Sequence, residues 1–143
     1  MANHHQQTAP EAPRRLDFRL RATRTAPLRA RRALSRLRLP LPLAFDAPLL
    51  VSELVSNSVL HAGLGRDDRI RVTADWSGDR LMVHVRDRSR PRRASPVAGS
   101  ICPAPGAESG WGLYFVDRLA SRWGTTADGY WFELRHDQPH QGL

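Results

Sequence analysis

The stretch LLVSELVSNSVLHA, Leu49 to Ala62, constrains this chain more than any other. It is apolar and free of glycine and proline, so it reads as a core helix. Yet Glu53, Asn57 and His61 recur every four residues. At 3.6 residues per turn they share nearly one face, drifting by a small angle at each step. A carboxylate, a carboxamide and an imidazole aligned on an apolar helix have two readings. One is a partly exposed polar face. The other is a site for a metal and a polar ligand. A carboxamide oxygen suits magnesium, and a nearby carboxylate can orient a water or act as a general base.

The rest of the chain must cover the apolar side of that helix. With 143 residues, 41% of them hydrophobic, it has the size of one domain with its own core. No apolar run approaches the roughly 18–20 residues of a membrane span. The opening MANHHQQTAPEAPRR lacks the apolar stretch of a secretory signal. The expectation is a cytoplasmic protein without a membrane partner. Cys102 is the single cysteine, which excludes an internal disulfide and a Cys-cluster zinc site. The net charge of +8 comes from one end. Residues 1–40 hold ten arginines against Glu11 and Asp17, whereas residues 41–143 hold twelve arginines and twelve acids. There is no lysine. That excludes a P-loop and makes every cation a guanidinium suited to forked contacts with carboxylate or phosphate.

Residues 1–15 are polar, contain Pro10 and Pro13, and read as a disordered tail. Leu16, Phe18 and Leu20 alternate with Asp17 and Arg19, as in a short edge strand. Thr25 reads as the N-cap of a first helix, with Pro27 in its first turn. Ala30, Ala33, Leu34 and Leu37 form its apolar face, and Arg29, Arg32 and Arg36 lie opposite, either solvated or facing an acidic partner. Pro40 and Pro42 break that helix, and Asp46 can cap the next, with Pro48 early in it. The second helix is the opening stretch, ending near Ala62-Gly63. Ile70, Val72 and Ala74, then Leu81, Val83 and Val85, alternate around Ser77-Gly78-Asp79 as a hairpin. Residues 88–109 show neither period, and a long unstructured loop in a small domain suggests a lid or disorder. A helix is predicted from about Leu113 to Ala120. Strands follow at Trp123–Thr126 and Tyr130–Leu134, around Ala127-Asp128-Gly129. The tail begins at His136. This order implies an α+β fold in two layers, a mostly antiparallel sheet with helices on one face.

Two further features matter beside Glu53 and Asn57. Asp87 ends a strand, where it either begins a turn or accepts a hydrogen bond from an exocyclic amine such as that of adenine. Gly110-Trp111-Gly112 precedes a helix, where it is either a plain turn or a close approach of backbone N–H groups to phosphate. It is not the dinucleotide fingerprint, because Phe115 stands at the third glycine position.

In this order the motifs resemble the GHKL ATPase superfamily, and within it the small anti-sigma-factor serine kinases. SELVSNSVLHA resembles their N-box, VHVRDRSRP their first glycine box, and ESGWGLYFVDRLASRWG their second glycine box with its helix. PLRARRALSRL resembles the helix ahead of the N-box, and GYWFELR the closing strand. The likeness spans residues 16–135, leaving 136–143 as a C-terminal tail. It implies a Bergerat-type ATP-binding sandwich with ATP and Mg2+. Glu53 would be the catalytic base or water-orienting residue, Asn57 the magnesium ligand and Asp87 the adenine reader. Residues 88–109 would form the ATP lid. Gly110, Gly112 and Leu113 would approach the phosphates, with Trp111 lying between them in the motif. His61 reads as a packing residue. The resemblance implies transfer of the γ-phosphate to a serine of an antagonist protein, partner switching with a sigma factor, and a homodimer. Ser89 and Arg90 depart from the glycines that usually follow the Asp, and Tyr130 and Trp131 stand where many members have Thr. Two alternatives remain: a non-catalytic binding or sequestering protein of the same fold, and nucleic-acid binding through the basic first 40 residues.

Overall fold

The computed structural model describes residues 14–61, 63–87 and 111–136. The expected lid, Gly110 and both expected tails beyond those bounds lie outside the described residues.

The sheet has five strands. They are β1 (Arg14–Arg21), β2 (Arg69–Trp76), β3 (Arg80–Arg86), β4 (Arg122–Thr126) and β5 (Gly129–Arg135), in the order β1-β2-β3-β5-β4. Every neighbouring pair is antiparallel. β1 is an edge strand, as its short alternation predicts. It begins two residues before Leu16 because Arg14 and Arg15 pair with Trp76 and Asp75. The chain leaves β3, forms a helix and β4, and returns as β5 beside β3.

Three helices cover one face: α1 (Ala26–Leu34), α2 (Leu43–His61) and α3 (Trp111–Leu119). α1 runs on into a single 3-10 turn at Ser35–Leu37. Ala26, Ala30, Leu34 and Leu37 are buried, while Arg29, Arg32 and Arg36 are exposed. Thr25 stands at the N-cap but makes no capping bond; its hydroxyl lies 3.1 Å from that of Thr23. Pro27 does occupy the first turn.

α2 starts one turn earlier than a cap at Asp46 implies. The Ala44 N–H donates to Pro40 O, and the Phe45 and Asp46 N–H groups to Pro42 O. Pro42 stops the preceding segment yet serves as acceptor for the next helix. Asp46 therefore sits in the first turn, where burial raises its carboxyl above the usual range. The longer helix also revises the reading of apolar runs. At 19 residues and mean hydropathy 1.3, α2 could cross a membrane by length and composition alone. Instead nine of its residues are buried within the fold, among them Leu50, Val51, Leu54 and Val55 at 0% exposure. It packs on α1, α3, β3 and β5 as the central core helix.

Strands β2, β3 and β5 send alternate residues to this core: Ile70, Val72, Ala74 and Trp76 from β2, Leu81, Val83 and Val85 from β3, Phe132 and Leu134 from β5. β5 meets β3 most tightly at its first residue. A Cβ on Gly129 would stand 1.8 Å from the Val85 carbonyl oxygen, a separation no side chain can occupy. Gly129→Ala must therefore push β5 off β3. We expect a loss at or above the ~3 kcal/mol top of the usual overpacking range, read from urea unfolding. A loss under about 1 kcal/mol would show that the two strands are not held this closely.

Candidate functional site

α2 carries Glu53 and Asn57 one turn apart, both half-buried, while His61 at the helix end is exposed. α3 comes down on that pair. Its first residue is Trp111, so Trp111 and Gly112 lie inside the helix rather than ahead of a helix starting at Leu113. Gly112 is where the helix meets that pair. A Cβ there would lie 2.7 Å from Glu53 Oε2, 3.5 Å from Glu53 Cβ and 3.7 Å from Asn57 Oδ1. Without a side chain, the first turn of α3 reaches the carboxylate. The N–H groups of a first turn have no partners within their own helix, and the dipole there favours negative charge. A carboxylate and a carboxamide oxygen thus meet a glycine at a helix start.

Leu113 packs half-buried against the core. Trp111 belongs to an aromatic group along α3, edge-on to Tyr114 at 5.3 Å between centroids and tilted against Phe115 at 6.4 Å. The base of the helix is tied to β4, where Trp123 Nε1 donates to Asp117 Oδ1 at 2.9 Å.

Asp87 follows the last residue of β3 and is 4% exposed. Its backbone N–H donates to Asp128 O at 2.7 Å, which extends the β3–β5 pairing into the Ala127-Asp128 turn. It also lines a cleft at that corner of the sheet with Arg86 and Asp128. That turn was read in the sequence only as a hairpin connection. Its role in seating Asp87 depends on pairing between β3 and β5, which are more than forty residues apart, roughly, along the chain. The Ala127-Asp128-Gly129 turn was its only local sign.

The structure therefore sets Glu53 and Asn57 beside Gly112 and seats Asp87 just past the end of β3. Gly110 lies outside the described residues. No group of three or more His, Cys, Asp or Glu side chains suited to a metal occurs among the described residues. Magnesium that arrives with a polyphosphate needs no such cage, because it keeps waters and phosphate oxygens as ligands. A carboxamide oxygen beside a carboxylate, at a helix start cleared of side chain, fits that ion.

A five-stranded antiparallel sheet with helices on one face, bearing this Glu-Asn pair, has the form of an ATPase sandwich. The chain belongs to the histidine kinase-like ATPase domain family, whose model matches residues 16–131. Membership implies nucleotide binding, typically with magnesium. No curated protein matches the chain.

Gly112→Ala tests the close approach. The clash falls on the end of a flexible side chain, and alanine favours a helix over glycine by about 1 kcal/mol. We expect the variant to stay folded, with the Glu53 carboxyl resonance shifted in a carbon-13 spectrum. An unshifted resonance would show that α3 does not reach Glu53.

Proposed function

We propose that this protein is an ATP-dependent protein serine kinase. It transfers the γ-phosphate to a serine of an antagonist protein and controls a sigma factor by switching partners. The observation that carries this reading is the Glu53 carboxylate set against the start of α3, with Asn57 one helical turn away. A protein that only held nucleotide would not need a base at that point.

Each residue has a distinct part. Asp87, buried at the end of β3, would accept a hydrogen bond from the adenine amine. The Asn57 oxygen would hold magnesium, which neutralises phosphate charge. Gly112 and Leu113 would offer N–H groups of the first turn to phosphate oxygens. The acceptor serine oxygen forms a bond to the γ-phosphorus as the bond from that phosphorus to the bridging oxygen breaks. ADP leaves with the electron pair, and Glu53 takes the hydroxyl proton. The site of action would be the cytoplasm.

One sequence feature favours a second reading. Ser89 and Arg90 replace the glycines usual after the Asp, so the protein could hold nucleotide and partner without transfer.

Glu53→Gln separates the two. For the kinase, the variant should keep nucleotide affinity within about threefold and lose at least ~100-fold in transfer to the antagonist serine, the usual scale for a general base. Transfer undiminished in Glu53→Gln would sink the assigned role. Nucleotide binding with no transfer in the unaltered protein would select the second reading.

A further inference from the structure

We infer that the corner of the sheet built by Arg19, Arg71 and Arg86 is a binding site for a phosphoryl oxyanion, adjoining Asp87 but built on side chains to which the nucleotide reading gives no part. The three arginines come from adjacent strands and stand directly opposite one another. Arg19 pairs with Arg71 across β1 and β2, and Arg71 with Arg86 across β2 and β3. Side chains at such positions have Cβ atoms only about 5 Å apart, and like charges placed so are destabilising. Three guanidiniums in one row are held at a cost that an anion between them would remove.

One carboxylate relieves the row in part. Asp17 accepts from Arg71 through Nε at 3.0 Å and Nη2 at 2.6 Å, a forked pair that holds the Asp17 carboxyl below its usual range. Arg19 and Arg86 form no ion pair among the described residues. The row opens on a cleft of about 430 Å³, wide enough for a phosphate or diphosphate, with Arg69 also in its wall. Four acids share the wall: Asp67, Asp68, Asp87 and Asp128. Asp68 accepts from the Gly65 N–H at 2.7 Å and Asp128 from the Thr126 hydroxyl at 2.9 Å. A hydrogen bond does not cancel a carboxylate's charge, so these four acids balance the four arginines of the wall, and the positive excess is confined to the row of three. His84, in the next row of β3, adds no further charge. Burial first, and then the charge of Arg86, hold it below its ordinary range, against the weaker pull of Asp75 and Asp128. The guanidinium forks match phosphate oxygens in geometry as well as sign.

The phosphoryl group could be free or carried on a partner's side chain. The 143-residue chain is melted without magnesium in sodium phosphate, in sodium chloride of equal ionic strength, and with a phosphoserine tripeptide or its unphosphorylated form. A general salt effect acts alike on every variant, whereas binding to the native state raises only the variants that bind. We expect phosphate, the phosphopeptide or both to raise the midpoint, and the apparent affinity to fall at least tenfold in Arg19→Gln/Arg86→Gln. The chloride midpoint of that variant, with its repulsion relieved, should not fall. Response to phosphate alone identifies a free anion, and response to the phosphopeptide alone identifies a modified partner. The inference is overturned by an equal response in Arg19→Gln/Arg86→Gln, by no response beyond chloride, or by a response abolished in Asn57→Ala, which would put the anion in the nucleotide site.

Discussion

A helix can bring its first turn onto a carboxylate only where no Cβ intervenes. Here that condition is met at Gly112, whose missing side chain leaves room for Glu53 Oε2. Much else follows from this contact. It gives α2 a polar side facing α3 rather than open solvent. It also explains why a strongly apolar helix carries a carboxylate and a carboxamide one turn apart. Burying either without a partner would cost free energy, and at a half-buried position that cost is reduced.

The second constraint lies in the sheet. β5 returns beside β3 so closely that only glycine fits at Gly129, and the Asp128 carbonyl then receives the Asp87 N–H. Asp87 owes its place to this pairing, not to its neighbours in sequence. The scaffold common to both is α2, packed on β3 and β5 and rich in fully buried Leu and Val side chains, each contributing about 1.5–3 kcal/mol of transfer free energy. A rigid apolar helix is thus the common reference for the Glu-Asn pair and for the strands that end at Asp87.

Much of this was legible because period and partner coincide. Strand alternation in Ile70, Val72 and Ala74, and in Leu81, Val83 and Val85, marks residues that do face one core. The four-residue spacing of Glu53 and Asn57 does place both at one contact. Local cap chemistry was less informative. Thr25 leaves its capping bond unmade, and α2 starts at Leu43 because backbone acceptors at Pro40 and Pro42 serve its first N–H groups. Side-chain preference at Asp46 could not reveal that. Gly112 likewise read as a turn ahead of a helix, since its reason for being glycine is a side chain nearly sixty residues away, roughly, in the chain. The arginine row was invisible for the same reason. Arg19, Arg71 and Arg86 are unremarkable singly, and only strand register makes them neighbours.

The central claim is that Asn57, beside Glu53 and the start of α3, belongs to a magnesium-nucleotide site. Calorimetric titration of ATP into the 143-residue chain, with and without magnesium and in parallel with Asn57→Ala, tests it most directly. The account predicts saturable binding at one site that depends on magnesium and weakens by at least about tenfold, ~1.4 kcal/mol, in the variant. Binding of equal strength in Asn57→Ala, or no binding to the unaltered chain, would contradict it.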